Sequence, residues 1–562
     1  MNQKWGKKGA SQRGALFYKT LDKIFVVSIF SLVAIFILYP IVCVLMASVR
    51  PDGAWDMAAY RGIVGNKSHL IINSLKVAFP VAVLSTFLAL HVALYVRFLK
   101  GRRKMMFVGG LLISMVSPPF ISALSYIQLF GRRGIITHDF LGLDVNPYGL
   151  AGVILMESVF YTSLNALLLI NMLSRIDVNL LLASLDLGVS RSKTVIKVLL
   201  PLIRPSVFVC FLLSFIRSLA DFGTPVVIGG SLETVATEIY MQMIGYGNLS
   251  KAAALNVCLM VPAFLVFSAY RRLMNRNAEI FGGTMNKIAG NEDFVMDGAS
   301  QVVTHILADG FLCYIILEYG MIFIGGFSKK VRGKRAFTDV YFRKVVLENQ
   351  DTLVRSLCYA LVVACLGTLL GILFSYYVDR RKVKGSNLFD LIVTLPYMLP
   401  GSCFGIGYIL AFNKGPIVLT GTGAIVVLNM IFKQLSLTTK AGAATFMQIG
   451  RDVDDAARDL GASRIETFKD VLLPNMKTGF VTGFVNNFSS AMTTVGAIIF
   501  LVSPGKKIAV FALFDSINSG RYGEASMIST WIILVSAAVN GLSAKIVLKK
   551  EKKHVSRIEE FK

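Results

Sequence analysis

Three carboxylates lie inside long apolar stretches of the sequence: Asp221, Glu157 and Glu318. An acid at the centre of a membrane helix costs about 2.5–3.5 kcal/mol on insertion scales, so each one needs a partner or a role. For Asp221 the two interpretations are contact with a cation that crosses the membrane and a helix-end cap beside Gly223 and Pro225. Glu157 and Glu318 are interpreted either as further residues of such a path or as structural hydrogen-bonding groups. No cluster of ligands predicts a metal site.

The composition indicates which elements must position these acids. The chain has 562 residues, of which 55% are hydrophobic and 16% are charged, and this balance excludes a soluble protein of that size. Apolar runs of about 20 residues recur, each long enough to cross a bilayer core of about 30 Å. The sequence therefore predicts an all-α integral membrane protein with about twelve spans, the first retained as an anchor. The spans are expected near 24–47, 73–97, 105–129, 149–173, 206–229, 252–270, 305–327, 352–378, 387–412, 422–445, 478–502 and 525–547.

The formal net charge of +25 is concentrated in short loops and at the tail, which favours a membrane topology over nucleic-acid binding. Basic clusters at 97–104, 380–384 and 549–553 follow the rule that Lys and Arg stay on the cytoplasmic side. This pattern predicts that both termini are cytoplasmic. The basic loop 329–335 does not fit, because it follows the seventh predicted span and should lie outside. Either the number of spans is wrong there, or the loop is basic for a reason of its own, such as docking an acidic partner.

One polar segment between apolar stretches occurs twice. Residues 183–201 read ASLDLGVSRSKTVIKVLLP and residues 456–474 read AARDLGASRIETFKDVLLP, at a constant offset of 273. The same offset relates Gly223 to Gly496, so each half contains six spans, and an even number gives two parallel repeats. The predicted divisions are a cytoplasmic tail (1–23), a first six-span domain (24–270), a cytoplasmic linker (271–304), a second six-span domain (305–547) and a C-terminal cytoplasmic tail (548–562).

Each copy of this segment predicts a short helix, a tight turn and an amphipathic helix on the cytoplasmic membrane surface. In the second copy, Gly461 can adopt a positive φ and end the first helix. Ser463 and Glu466 match a capping box, and Pro474 ends the second helix. The apolar stripe of that helix is formed by Ile465, Phe468, Val471 and Leu472.

The first copy repeats this plan with Gly188 at the turn and Ser190 as the expected cap. It lacks the acid of the capping box, because Lys193 stands where the second copy has Glu466. Its stripe consists of Val195, Val198 and Leu199. The alternative is a pair of interfacial helices without a partner. Retention of the same residues in two copies favours a docking function instead.

The repeated segment resembles the EAA motif (E-A-A-x-x-x-G, followed by L-P) of inner-membrane permeases of bacterial ABC importers with the type I fold. In that family the segment forms a coupling helix that docks into a cleft of a cytoplasmic ATPase. The motif Glu is Asp455 in the second copy and Leu182 in the first, and the second Ala is Ser184 in the first. The resemblance implies that the coupling residues are Ala183, Asp186, Gly188, Ser190, Arg191, Pro201, Asp455, Ala456, Ala457, Asp459, Gly461, Ser463, Arg464 and Pro474.

Three further segments resemble the ferric-iron group of these importers: 219–225 (LADFGTP), 236–240 (ATEIY) and 500–505 (FLVSPG). Related fused permeases carry 2-aminoethylphosphonate, thiamine or sugar phosphates, so these cargoes stay open beside ferric iron. The resemblance implies a fused permease in the lipid of a bacterial inner membrane. It also implies two copies of the ATPase and an external substrate-binding protein as partners, with transport by alternating access.

The sequence has no G-x-x-x-x-G-K-[ST] segment, so ATP and Mg are expected on the partner ATPase. The chain itself is expected to bind no cofactor and not to be an enzyme. A proton-coupled secondary transporter is the alternative from another class, since it also has twelve spans in two parallel halves. The sequence lacks the G-x-x-x-D-R arrangement of that class, and such a fold does not need the repeated segment.

Overall fold

A computed structural model of the chain describes residues 12–51, 53–144, 146–281, 297–331, 334–503 and 505–560. Parts of the predicted tail 1–23 and linker 271–304, together with residues 561–562, lie outside the described residues. The rest is almost entirely helical, as expected for a chain in which backbone groups must be satisfied within each membrane segment.

The helices of the first half are α1 (Gln12–Val33, continued through a π turn by Tyr39–Val49), α2 (Ala58–Asn66), α3 (Ser68–Phe98), α4 (Gly101–Val116), α5 (Pro119–Phe130), α6 (Leu150–Leu173), α7 (Val178–Asp186), α8 (Leu200–Ala220), α9 (Gly223–Ile228), α10 (Val235–Tyr240) and α11 (Leu249–Phe281). Those of the second half are α12 (Gly298–Phe327), α13 (Gln350–Ser375), α14 (Ser386–Met398), α15 (Gly401–Phe412), α16 (Gly423–Gln448), α17 (Asp452–Asp459), α18 (Lys477–Thr493), α19 (Ala509–Asn518) and α20 (Tyr522–Glu560). Short helical turns are Ile135–Phe140, Arg191–Thr194, Val195–Leu199, Met241–Gly245, Val340–Phe342, Arg343–Glu348, Tyr376–Arg380, Arg464–Glu466, Thr467–Leu472, Leu473–Asn475 and Ile498–Phe500. A hairpin of β1 (Ser328–Val331) and β2 (Lys334–Phe337) follows α12.

Eight helices of the described residues are long and apolar enough to cross a membrane. Two bent pairs, α4 with α5 at 107° and α14 with α15 at 113°, raise the number to ten if each pair is one span. Pro118 and Pro400 follow the bends. The residue before each, Ser117 or Leu399, is extended, because a proline ring disfavours helical backbone at the preceding residue. Of the twelve predicted spans, those near 422–445 and 478–502 correspond to α16 and α18, which are not among these ten.

The two halves repeat the same helix contacts. α3 packs against α6 and α8 in the first half, and α13 packs against α16 and α18 in the second. The hydrogen bond between Asn165 and Ser214 joins α6 to α8 at 2.7 Å. Thr438 and Asn487, 273 residues further on in each case, join α16 to α18 at 3.0 Å. Since both pairs are buried, each fixes the register of its two helices.

The first long helix of each half packs against helices of the other half. α1 contacts α15 and the last helix of its own half, α11, and the Tyr408 hydroxyl donates to the Phe36 carbonyl at 2.8 Å. α12 contacts α3 and α5 of the first half as well as α20 of the second. The buried core is therefore largely continuous between the halves, and the largest fully buried side chain is Tyr408 itself.

Candidate coupling surface and translocation path

The second repeated loop has the geometry that its sequence predicts. α17 ends at Asp459, and Gly461 turns the chain with φ of +83°. The Ser463 side chain accepts from the Glu466 N–H at 3.3 Å, while the Glu466 carboxylate accepts from the Ser463 N–H at 2.8 Å. This capping box is confirmed. The stripe also faces inward, with Leu472 buried and Phe468 half-buried.

The first repeated loop turns in the same way but is capped differently. Gly188 has φ of +79°. The expected Ser190 side-chain cap is wrong, because Ser190 makes no such bond. The Asp297 carboxylate, from the segment before α12, accepts from the N–H groups of Arg191 at 3.2 Å and Ser192 at 2.9 Å instead. The Asp297 carboxylate therefore takes the place of the Ser190 hydroxyl as the acceptor at the start of this helix, and a charged acceptor makes the stronger hydrogen bond.

The second Ala of the motif is the position where the two helices of each loop touch. Ala457 is buried in the second copy. In the first copy, the buried Ser184 hydroxyl lies 2.9 Å from the Thr194 hydroxyl. Thr467, which corresponds to Thr194, is also buried. The Ser in the first loop therefore keeps the contact by adding a hydrogen bond.

The remaining motif residues form an exposed surface. Exposed residues are Ala183, Asp186, Gly188, Ser190, Arg191, Pro201, Asp455, Ala456, Asp459, Gly461, Arg464 and Pro474, whereas Ser463 is half-buried. Sequence reasoning missed the most prominent apolar members, Leu187 with 84% and Leu460 with 77% of its surface exposed. Both precede the turn glycine. Their identity in the two copies was the signal that could have identified them as a contact surface, since large exposed leucines mark interaction sites.

An arginine directly after α13 attaches the second loop to that helix. Arg380, at the end of α13, donates to the carbonyls of Phe446 at 3.0 Å, Ile449 at 2.6 Å and Gly450 at 2.7 Å. It also pairs with Asp454 on α17 at 2.8 Å, and its side chain is only 6% exposed. Arg380 therefore joins the end of α13 to α17 and to the chain that leads into it.

Arg97 has the corresponding position in the first half. Its Nε donates to the carbonyl of Leu173 at 3.3 Å, and Leu173 precedes Phe446 by the same offset of 273 residues. Arg97 therefore joins the end of α3 to the end of α6, which leads into the first loop.

Asp221 ends α8 and caps the next helix. Its carboxylate accepts from the Gly223 N–H at 2.8 Å and from the Thr224 hydroxyl at 2.7 Å. This is the cap interpretation, and both carboxylate oxygens contribute to it. Glu157 contacts the same part of α8. Its carboxylate accepts a hydrogen bond from the hydroxyl of Ser218, which is three residues before Asp221. The second oxygen of Glu157 is buried and has no hydrogen-bond partner among the described residues.

Glu318 takes part in a separate contact between the halves. It lies on α12 and accepts a hydrogen bond from Ser122 on α5, while Ser125 donates to its backbone carbonyl at 3.2 Å. Glu318 is 2% exposed. The structure therefore brings Glu157 close to the Asp221 segment but places Glu318 with a different helix pair, where it acts as a hydrogen-bonding group between α5 and α12.

Aromatic rings from both halves meet beside Asp221. Phe222 stacks on Tyr240 with ring centroids 5.6 Å apart, and Tyr240 lies 5.9 Å from Phe514. Phe500 lies 6.3 Å from Phe222. Phe222 and Tyr240 belong to the first half, and Phe500 and Phe514 to the second. The cluster therefore forms an aromatic contact between the two halves.

Comparison with known proteins matches two segments of the chain, residues 19–279 and 367–550, to one family model, described as binding-protein-dependent transport system inner membrane component. Each segment contains one of the repeated loops. The chain belongs to this family. It is a permease component of a binding-protein-dependent ABC transporter, which implies a substrate-binding protein and an ATPase as partners, and its place is the inner membrane.

The permease is similar over most of its length to two ferric transport permeases. The ferric transport system permease protein FbpB of Actinobacillus pleuropneumoniae is 29% identical over 531 residues, which cover 91% of this chain and 76% of the relative. A putative ferric transport system permease protein FbpB 1 of Haemophilus influenzae is 28% identical over 514 residues, 87% of this chain and 79% of the relative. A molybdate/tungstate transport permease, WtpB of Pyrococcus furiosus, is 28% identical over 190 residues and covers 33% of this chain and 75% of the relative.

Proposed function

We propose that this permease moves ferric iron from an external substrate-binding protein into the cytoplasm by ATP-driven alternating access. Two copies of a cytoplasmic ATPase bind the repeated loops, one on each. The ATP and Mg belong to the ATPase. Closure of the ATPase pair draws the loops together. Arg380 transmits the movement of the second loop to α13, and Arg97 links α3 to the end of α6 that leads into the first loop.

One observation carries this proposal. The two loops present the same exposed Leu immediately before a turn glycine of positive φ, at Leu187 with Gly188 and at Leu460 with Gly461. A pair of equivalent apolar surfaces suits a pair of identical partners, since each loop can enter the same cleft. The capping differs between the loops, whereas the exposed leucine and the turn glycine are the same in both.

The number and direction of the membrane spans are also proposed. We infer twelve spans in two parallel six-helix repeats, with both termini in the cytoplasm. Ten of these spans are identified by length and hydropathy, and α16 and α18 are the other two. The repeated contacts of α3 and α13 support this arrangement. The domain limits at 24–270 and 305–547 follow from it, with the linker 271–304 between them.

Ferric iron as the cargo is supported by similarity to permeases whose names specify ferric transport. The second candidate cargo is 2-aminoethylphosphonate, because a putative permease for it, PhnV of Salmonella paratyphi A, is 24% identical over 242 residues. That match covers 42% of this chain, against 91% for the ferric relative, so the ferric cargo is favoured.

Asp221 and Glu157 are the residues that we place beside the path, with the aromatic cluster of Phe222, Tyr240, Phe500 and Phe514 as its barrier. An apolar barrier stops the passage of ions when the halves are together, and their separation would open it. Glu318 belongs to the contact between α5 and α12 and is less suited to the path.

The test is purification of the tagged permease from its host in mild detergent, followed by identification of co-purifying proteins. Reconstitution with the recovered ATPase and binding protein then measures uptake of radioactive iron with ATP inside the vesicles. ATP-dependent uptake that requires the binding protein is expected. Uptake driven by a proton gradient without ATP would contradict the mechanism, and ATP-dependent uptake of 2-aminoethylphosphonate but not iron would contradict the cargo.

A further inference from the structure

The end of the molecule opposite the repeated loops has a cavity of about 460 Å³ between the two halves. Its position follows from helix direction. α6 runs from Leu150 at this end to Leu173 at the first loop, and α12 runs from Asp297 at that loop to Phe327 here. The cavity is therefore separated from the coupling surface by the full length of these helices.

Among the described residues, four cations line this cavity and no acid does. They are Arg132 and Arg133 from the first half and Lys329 and Arg335 from the hairpin of the second half. All four are exposed, and none forms an ion pair or hydrogen bond with another described residue. A neighbouring cavity at the same end is different, because its Lys507 and Arg521 are balanced by Asp515 and Glu524.

Neutral hydrogen-bonding groups complete the lining. Tyr148, Tyr341 and Tyr522 border the cavity. A Cβ on Gly131 would lie 3.2 Å from the Tyr148 hydroxyl, which places that hydroxyl beside the bare backbone at the cavity wall. A tyrosine phenol has an ordinary pKa of about 10, so the Tyr148 hydroxyl is a hydrogen-bond donor at neutral pH, and burial raises its pKa further.

Gln128 adds an amide that is only partly satisfied. It donates from its amide nitrogen to the Ser526 hydroxyl at 2.8 Å, and its amide oxygen is buried without a partner among the described residues. A ligand with a hydroxyl or a protonated oxygen would satisfy it. Buried polar groups are usually hydrogen-bonded, so this atom points to a missing ligand or water.

The hairpin of β1 and β2 supplies two of the four cations, Lys329 and Arg335. A two-stranded hairpin is marginal on its own, so a negatively charged ligand that contacts both strands would stabilise it. Under the proposed topology these residues also depart from the rule that Lys and Arg stay on the cytoplasmic side.

We propose that this cavity, named here the hairpin pocket, binds a small multivalent oxyanion such as phosphate or a di- or tricarboxylate. The ligand would bridge Arg132 and Tyr148 of one half to Lys329, Arg335 and Tyr522 of the other. Because both halves contribute, binding stabilises the arrangement in which their outer ends are together. The pocket is thus an effector site, apart from the cargo path.

The phosphate chemistry has two sources, a free anion and the headgroup of an anionic lipid. Binding of inorganic phosphate and of citrate to the purified permease is measured by calorimetry in detergent. The measurement is then repeated in nanodiscs of phosphatidylcholine with and without phosphatidylglycerol. A weaker apparent affinity for citrate in the presence of phosphatidylglycerol identifies the lipid as a ligand, and an unchanged affinity identifies the free anion. Either result supports an oxyanion site.

Substitutions distinguish binding in the hairpin pocket from nonspecific attraction of anions to a positively charged surface. Arg132→Gln with Arg335→Gln removes one cation from each half, and weakening of at least about tenfold is expected from the loss of charge-assisted hydrogen bonds. Arg521→Gln is the matched control, since Arg521 is exposed at the same end but belongs to the balanced cavity, and it should bind as the parent does. Tyr148→Phe with Tyr522→Phe keeps the rings and the fold and should weaken binding several-fold.

Equal binding by the parent, the double Arg variant and the Arg521 variant would overturn the proposal. A second result would also overturn it: phosphate, citrate and phosphatidylglycerol do not bind, yet a purified binding protein with an acidic surface binds the permease and needs Arg132 and Arg335 to do so. The pocket would then be a protein docking surface. None of these measurements depends on ATP or on iron uptake, so their outcome is independent of the proposed transport function.

Discussion

Asp22, on the first helix, and Arg381, at the end of α13, form an ion pair that joins the start of the chain to its second half. The distance from the carboxylate oxygen to the guanidinium nitrogen is 2.6 Å, and the Tyr377 hydroxyl donates to the same oxygen at 3.1 Å. The guanidinium also lies over the Tyr377 ring, 5.1 Å from its centroid.

An equivalent contact joins the second half to the first. Asp309, on α12, accepts from Arg103 at 2.9 Å and from the Tyr95 hydroxyl at 3.4 Å, and the Arg103 guanidinium lies 5.4 Å from the centroid of the Tyr95 ring. Each acid is on the helix that crosses over, and each Tyr and Arg lie at the end that carries the repeated loops. Two carboxylate clamps therefore hold the halves together beside the coupling surface.

The two clamps should contribute unequally to stability. Asp22 and Arg381 have side-chain exposures of 11% and 16%, whereas Asp309 and Arg103 have 41% and 55%. Removing one partner of a buried pair costs about 3–5 kcal/mol, while an exposed pair contributes about 0–1 kcal/mol. Asp22→Asn is therefore expected to lower the melting temperature in detergent far more than Asp309→Asn. Equal shifts would show that the two clamps are equally solvated.

Gly188→Asp with Gly461→Asp should uncouple ATP hydrolysis from uptake. Both glycines have positive φ, which costs other residues about 1–2 kcal/mol, so the turns that present the exposed leucines would be distorted. The measurement compares ATPase activity with cargo uptake in reconstituted vesicles. Gly247→Asp is the control, because Gly247 also has positive φ and open surroundings but lies at the opposite end. Normal ATP-driven uptake by the double variant would contradict the coupling role.

Leu187→Ser and Leu460→Ser should weaken ATPase binding without loss of stability. The side chains are exposed, so substitution changes the free energy of unfolding by no more than about 0.5 kcal/mol. Burial of a leucine in a partner contributes about 1.5–3 kcal/mol, and each substitution should therefore weaken association about tenfold or more. Retention of the ATPase on immobilised permease measures this. Leu542→Ser, on the exposed face of α20, should leave retention unchanged.

Asp297→Asn should loosen the first loop and leave the second intact. Hydrogen bonds from Ser192 hold the pKa of Asp297 below its ordinary value, because they favour the ionised form. The stabilisation is present above the ordinary carboxyl pKa of about 4 and is lost as pH falls through the lowered value in the folded state. Hydrogen exchange of residues 187–194 at neutral pH should rise in the variant. Glu466→Gln should instead affect 460–467, and an increase in both loops for either variant would contradict independent capping.

Asp221→Asn distinguishes a role of Asp221 in the translocation path from a role as a helix cap alone. Thr224→Val removes one of the hydrogen bonds to Asp221 but keeps the negative charge. If Asp221 contacts the cargo, Asp221→Asn should reduce uptake much more than Thr224→Val, at similar thermal stability of both variants. Intact uptake in Asp221→Asn would leave the residue as a helix cap only.

The repeated loops were predictable from the sequence because their geometry is local. The positive φ of Gly461 and the capping box of Ser463 and Glu466 depend on residues within four positions of each other. The cap of the first loop was not, because its acceptor, Asp297, is more than a hundred residues away in the chain. Nothing in the neighbourhood of Ser190 specifies which distant carboxylate approaches it.

The carboxylate clamps escaped prediction for the same reason. Asp22 and Asp309 are single acids near the ends of apolar segments, and their partners belong to the opposite half. The spans were largely predictable from hydropathy, but the bends beside Pro118 and Pro400 were not, since each interrupts a run that composition alone describes as one segment.

The cap of the first loop by Asp297 makes the two repeats unequal in one respect. The acceptor for the first loop belongs to the segment that begins the second half, 106 residues beyond Arg191. The second loop is capped by its own Ser463 and Glu466. A first half produced alone would therefore lack the acceptor of its loop, whereas a second half produced alone would keep its capping box.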